Sequence, residues 1–276
     1  MTPNNPQTAA NANAAPEPMF DKLKRGLKTV TIDGETFYIA EGDLLIDESQ
    51  LPRYAVQRAA AATAPPVAED AERSTMKAIA VSENGKIVRW KPGMVLSYCV
   101  LKRTFGDENN YELVRNNMQR AAWDWEGACG VKFEYRADLD ESPTNTPDGV
   151  LFPVREVNAN GQFIAAAFFP NDAPVRRRLV IDPSYYTTNF DPIGVLRHEL
   201  GHVLGLRHEH IQSNAPPACQ GEDTGDIIKL GDYDPQSVMH YFCGGVGSLT
   251  LEITDLDRAG VQKIYGPSFE AMRFYE

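Results

Sequence analysis

Apolar and polar positions change period several times along this chain of 276 residues. Phe20 to Leu27 is amphipathic with helical spacing, and Thr29 to Ile39 reads as two short strands around Asp33-Gly34, a dipeptide that predicts a β-hairpin. After Tyr54 the chain becomes Ala- and Pro-rich through Val67 and then acidic to Glu72. That composition predicts an exposed linker open to proteolysis. A second block starts near Met76, with helical periodicity from Tyr111 to Gly127, short strand-like runs between Val131 and Asp182, and another helix from about Pro192. Strands on one side with helices packed behind them predict an α+β fold. The expected division is a small unit over 1–75 and a main domain over 76–276.

The second block also holds the chemistry. All five histidines lie between His198 and His240, and three fall in the run His198-Glu199-Leu200-Gly201-His202-Val203-Leu204-Gly205-Leu206-Arg207-His208. Residues four apart share one face of a helix, so His198 and His202 can offer two imidazoles to one metal ion, with Glu199 beside them. A straight helix cannot deliver the third imidazole. Gly205 can take a positive φ, which lets the chain turn after the helix and bring His208 back from another direction. Three neutral nitrogens and one open position describe a catalytic Zn2+ site. In such a site a water is acidified and a neighbouring carboxylate, here Glu199, takes its proton and passes it to the leaving amine. An amphipathic helix with surface histidines would not repeat this spacing through the glycine.

The run HExxHxxGxxH resembles the signature of metzincin metallopeptidases. Tyr233-Asp234-Pro235-Gln236-Ser237-Val238-Met239-His240-Tyr241 looks like the methionine-containing turn of the astacin-type members. The resemblance implies Met239 packing beneath the metal and Tyr241 as an exchangeable ligand, whose hydroxyl can donate to an oxyanion when it swings away. Glu209 also matches astacin-type enzymes, where it helps anchor the mature N-terminus. Arg207 departs from the pattern, standing where these enzymes usually carry an aromatic residue, and 211–222 lacks their usual arginine and aspartate. Coverage runs over about 76–266. Trp90 to Leu101 looks like the first strand region, Ala165 to Pro170 like a cleft-edge strand on which an extended peptide can add, and Leu251 to Gly266 like the closing helix. The implied architecture is a twisted mixed sheet with an active-site helix, a Met-turn and a C-terminal helix.

Upstream, Glu41-Gly42-Asp43-Leu44 resembles the aspartate switch of astacin propeptides, with Ala40 in place of the usual aromatic. Asp43 is then a further metal ligand in a latent form, residues 1–75 a propeptide, and cutting the linker frees the cleft. A cysteine switch is excluded because no cysteine precedes Cys99. The expected protein is a latent zinc-dependent endopeptidase acting on proteins or peptides, with Glu199 and Tyr241 catalytic and His198, His202 and His208 on zinc. Two other readings are a zinc-bound peptide-binding module without turnover and a protease effector translocated into another cell.

A net charge of −11 excludes a nucleic-acid partner, which calls for a clustered basic face. Arg176-Arg177-Arg178 is the one compact basic run, read as a solvated edge or a counter-charge for an acidic substrate. No apolar stretch has the length of a membrane span, and the Asn-, Ala- and Pro-rich leader over 1–19 has no apolar signal core. A secreted or translocated monomer is expected, with no membrane partner. Cys99, Cys129, Cys219 and Cys243 form no CxxC pair, which argues against a redox motif or a structural zinc site; the expectation is two disulfides, Cys219 with Cys243 and Cys99 with Cys129 among three possible connectivities, with free thiols the alternative in the cytosol.

Overall fold

A computed structural model describes residues 19–63, 78–212, 215–219 and 227–269. Residues 1–18 and 64–77, which carry nearly all of the expected leader and the second half of the expected linker, lie outside the described residues.

The N-terminal unit opens with helix α1 (Met19–Gly26) and the strands β1 (Lys28–Ile32), β2 (Glu35–Ala40) and β3 (Leu44–Ile46), all antiparallel in the order β1-β2-β3. The hairpin falls where Asp33-Gly34 places it, with φ of 55° and 80° at these two residues. Helix α2 (Leu51–Thr63) corrects the reading of a linker from Tyr54 onward. Alanines that suggest flexibility by composition are the strongest helix formers, and Pro65 and Pro66, which stop helices, come only after Thr63.

The larger unit begins with β4 (Ile79–Glu83) and β5 (Lys86–Ile87), followed by β6 (Val95–Val100), helix α3 (Glu108–Ala128), β7 (Lys132–Tyr135), β8 (Phe152–Glu156), β9 (Ala165–Ala166) and β10 (Leu179–Ile181). Helix α4 (Pro192–Val203), β11 (Ile227–Lys229) and helix α5 (Asp255–Tyr265) complete it. The main sheet has the order β7-β6-β8-β10-β9, with β9 antiparallel at its edge and the other four strands parallel. Mixed sheet, helices and element order bear out the α+β expectation, and Ala165 does lie on an edge strand.

Packing of α3 on α4 positions the histidines. Trp125 is fully buried between them and its Nε1 donates to the Arg197 carbonyl at 2.8 Å, while Arg197 pairs with Asp124 at 2.7 Å. A second apolar cluster joins the two units: Val30, Ile32, Phe37 and Ile39 of the N-terminal sheet pack on Ala159, Phe163, Ala166 and Val180.

Cys219 and Cys243 form a disulfide, as expected. Cys99 and Cys129 do not; both are buried free thiols, one in the middle of β6 and one capping α3, where its Sγ reaches the Trp125 carbonyl at 3.6 Å. Burial pushes both thiols up to about 12, which withholds the thiolate that disulfide exchange needs.

Replacing Trp125 with alanine removes the filler between α3 and α4 and the indole bond to the Arg197 carbonyl, so a loss of about 3–5 kcal/mol is expected in urea denaturation. A midpoint within error of the parent would show that this contact does not hold the helix.

Candidate metal centre

Helix α4 starts in a way the sequence specifies: Asp191 caps it by accepting from the Ile193 amide, and Pro192 fills the first turn, where no N–H is needed. His198 and His202 then stand on its buried face with ring centroids 4.9 Å apart. Gly205 turns the chain with φ +90°, and a Cβ there would lie 2.6 Å from the Val88 carbonyl oxygen. Strand β4 grips the turn, with the Val81 amide donating to the Gly205 carbonyl and the Arg207 amide to the Ile79 carbonyl, both at 2.8 Å. His208 thereby returns to the site, its Nε2 at 3.1 Å from Nε2 of His202.

Backbone carbonyls fix two of the three rings. Nδ1 of His198 donates to the Val238 carbonyl at 2.8 Å and Nδ1 of His202 to the Leu206 carbonyl at 2.9 Å. A nitrogen facing a carbonyl must carry the proton, so both Nε2 atoms turn lone pairs inward. Burial pushes His202 down to about 4, which keeps it neutral. Behind Val238 stands Asp257, whose carboxylate accepts from the Val238 amide at 2.9 Å and the Ser237 hydroxyl at 2.5 Å while completing the capping box of α5 with Thr254. Met239 lies beneath α4 as expected: a Cβ on Gly201 would sit 2.3 Å from its sulfur, so only glycine fits there.

The fourth ligand-type group comes from the N-terminal unit. Asp43 Oδ2 lies 3.2 Å from Nε2 of both His198 and His208, and Oδ1 lies 3.7 Å from Nε2 of His202. The Tyr241 hydroxyl donates to Asp43 Oδ2 at 2.5 Å and sits 2.9 Å from the Glu41 carbonyl. Gly42 makes this approach possible, since it has φ +92° and a Cβ would stand 2.8 Å from the Tyr241 hydroxyl. Just before it, Glu41 receives both carboxylate contacts from one guanidinium nitrogen of Arg207, at 2.6 and 2.7 Å, with both side chains buried. Arg207, the position that departs from the astacin pattern, thus holds the counter-charge of Glu41.

All four groups are buried, and their ligand atoms lie within 4.8 Å of one another. Lone pairs of two neutral imidazoles, a third imidazole nitrogen and a carboxylate oxygen with no hydrogen-bond donor converge in a dry space. That crowding is repulsive without a cation, and an N3O set of this size fits tetrahedral zinc. Burial works against the Asp43 charge, but the positive potential at His208 outweighs it, holding the carboxyl well below its usual range. Glu199 is the opposite case: burial, reinforced by the Asp43 charge, holds it well above the usual range, and its buried Oε2 has no hydrogen-bond partner.

The structure therefore brings together all the residues expected here: His198, His202, His208, Glu199, Tyr241 and Asp43. Asp257 was missed, although Thr254-Asp255-Leu256-Asp257 is a readable capping-box pattern. The Arg176 to Arg178 run is not a solvated edge. Arg176 pairs with Asp47 and donates to the Ser49 hydroxyl at 3.0 Å, Arg177 lies 5.0 Å over the Trp90 ring, and Arg178 lies 4.2 Å over the Phe37 ring.

No family model matches the chain. Among curated proteins it is similar to Tolloid-like protein 1 of Mus musculus, 27% identical over 193 residues, which cover 64% of this chain and 16% of that protein. It is also similar to zinc metalloproteinase nas-3 of Caenorhabditis elegans, 33% identical over 88 residues, which cover 29% of this chain and 30% of that protein. The chain thus spans under a third of the length of either relative. Among solved structures, myroilysin aligns over 68% of this chain and 98% of its own with 15% identity and a TM-score of 0.48. High choriolytic enzyme 1, a hatching enzyme zinc-protease from Oryzias latipes, aligns over 68% and 99% with 16% identity and a TM-score of 0.44.

Next to the site, burial pushes Glu209 up to about 9 from an ordinary value of 4.5, and the charge of Asp257 adds to the effect. The folded chain therefore binds more protons than the unfolded one across that window, so this residue's stabilisation is complete below pH 4.5 and drains away as the pH rises to 9. Denaturation midpoints measured from pH 5 to 9 should fall less steeply in Glu209→Gln than in the parent. Parallel slopes would assign the effect to another group.

Proposed function

The chain is an astacin-like metzincin with a zinc site, and from that premise we propose that it is a zinc-dependent endopeptidase held latent by its own N-terminal unit. The single observation that carries this reading is Asp43, seated against three histidines whose fourth direction would otherwise face a substrate.

In the open form His198, His202 and His208 would hold zinc, and the chemistry it would supply there is Lewis acidity toward a water and the scissile carbonyl. Glu199 acts as base and then acid. Standing one residue after the first histidine on the buried face of α4, it would take a proton from the attacking water and hand it to the leaving amine. Tyr241, whose hydroxyl now donates to the Asp43 carboxylate, would turn the same donor toward the oxyanion that forms when water adds to the carbonyl. Two charges of the same type, one ligand carboxylate and one oxyanion, are thus read by one hydroxyl. Leu44 already makes a parallel bridge with Ala167, just past β9, which supports that edge as the place where an extended peptide lies.

In this reading residues 1–75 are the propeptide and 76–276 the catalytic domain. The Cys219–Cys243 disulfide supports an oxidising compartment, hence secretion, and no helix among the described residues is long and apolar enough to cross a membrane.

One treatment and one variant test the proposal on quenched fluorescent peptides. Proteolysis that destroys residues 19–63 should raise cleavage at least tenfold over the intact chain, and that activity should vanish with a zinc chelator. Glu199→Ala in the chain opened this way should lower cleavage by about 10²–10⁴-fold, the usual worth of a general base, while zinc content stays at one per chain. Cleavage at the parent rate by Glu199→Ala would remove the base from the mechanism, and an intact chain that cleaves as fast as the opened one would remove the latency.

A further inference from the structure

The N-terminal unit is tied to the rest by more than the zinc ligand and the linker. We propose that residues 19–63 remain seated as a non-covalent inhibitory subunit after the linker is cut, so that opening the cleft requires the unit to be dissociated or destroyed, not merely severed. The proposal rests on reading this unit as inhibitory.

Three independent contacts point the same way. First, the unit has its own hydrogen-bonded sheet, and that sheet presents Phe37 and Ile39 to Phe163, Ala166 and Val180 as one continuous apolar cluster. Such a centre resembles that of a permanent interface, with a large aromatic anchor buried in the middle and an arginine, Arg178, stacked at 4.2 Å over its ring. Second, carboxylates and arginines pair around this centre: Asp33 with Arg155 at 2.6 Å, Glu41 with Arg207 at 2.6 Å, and Asp47 with Arg176. The Arg155 and Arg207 side chains are almost wholly buried, so withdrawing the unit would strand two desolvated guanidinium groups in an apolar setting until water reached them. Third, polar contacts from outside the switch segment add to these, with Gln50 reaching Asp172 at 2.9 Å and Gln162 reaching the Thr29 carbonyl at 3.0 Å.

What the linker adds is only local concentration. A covalent connection of this kind holds its ends at an effective concentration on the order of millimolar. An interface with a dissociation constant well below micromolar stays closed without that help at micromolar protein. The ion pairs give the complex a signature: the Glu41–Arg207 pair is buried and little screened by salt, so retention should persist at high salt and fall when the pair loses its charge.

The test uses the full chain, cut to completion between residues 63 and 78 as judged by denaturing gel and mass spectrometry, and run on a size-exclusion column at about 5 µM. In 50 mM and in 1 M NaCl the fragment ending in the linker should co-elute with the large fragment. Glu41→Gln should weaken retention at least tenfold, and Phe37→Ala should abolish it, whereas Thr31→Ala, on the exposed face of β1, should leave it unchanged. Separate elution of the two fragments from the cut parent chain in 50 mM NaCl would overturn the proposal, as would retention indifferent to Glu41→Gln and Phe37→Ala alike. Peptide cleavage is read alongside: the co-eluting complex should show less than a tenth of the activity of the large fragment freed from it. Co-elution with no activity in either sample would leave this proposal standing and sink the peptidase reading, so the two fail separately.

Discussion

The arrangement depends on one electrostatic constraint: three imidazole nitrogens and a carboxylate share a dry space too small for them to tolerate one another without a cation. Nδ1 of His198 is committed to the Val238 carbonyl and Nδ1 of His202 to the Leu206 carbonyl, so neither ring can relieve the crowding by turning a proton inward. Most of what surrounds the site serves to hold those two carbonyls still. Asp257 fixes Val238 through its amide, β4 fixes the loop that carries Leu206, and Met239 closes against Gly201 from below. The zinc motif is therefore short in sequence but is kept in shape by α5, β4 and the Met-turn together.

The same constraint explains the shape of the segment Glu41-Gly42-Asp43. A carboxylate can enter this space only if its backbone comes close to Tyr241, which requires Gly42. The glutamate before it must then be buried as well, and Arg207 answers that charge. In this chain the residue preceding the third histidine is thus coupled to a segment more than 160 positions upstream, |i−j| being 166 for the pair.

Much of this was legible in the sequence because it depends on short-range geometry. His198 and His202 share a helix face whatever the fold, Gly205 must permit a turn if His208 is to return, and Asp33-Gly34 sets a hairpin by its backbone preferences alone. Readings that depended on distant partners were harder. Arg176 to Arg178 looked like a solvated edge because nothing local shows Asp47 or Phe37 lying over them. The alanines after Tyr54 looked like a linker because composition does not distinguish a flexible run from a helix that has something to pack on. Cys99 and Cys129 looked like a pair because cysteine counting is blind to where β6 and the end of α3 lie.

The central claim is that zinc sits among His198, His202, His208 and Asp43 in the uncut chain. Zinc-edge X-ray absorption on the purified full-length protein tests it most directly, with Asp43→Ala measured beside it. The account predicts one zinc per chain with three imidazole nitrogens and one carboxylate oxygen, and loss of the carboxylate alone in the variant. A chain that binds no zinc, or a coordination sphere unchanged by Asp43→Ala, would contradict it.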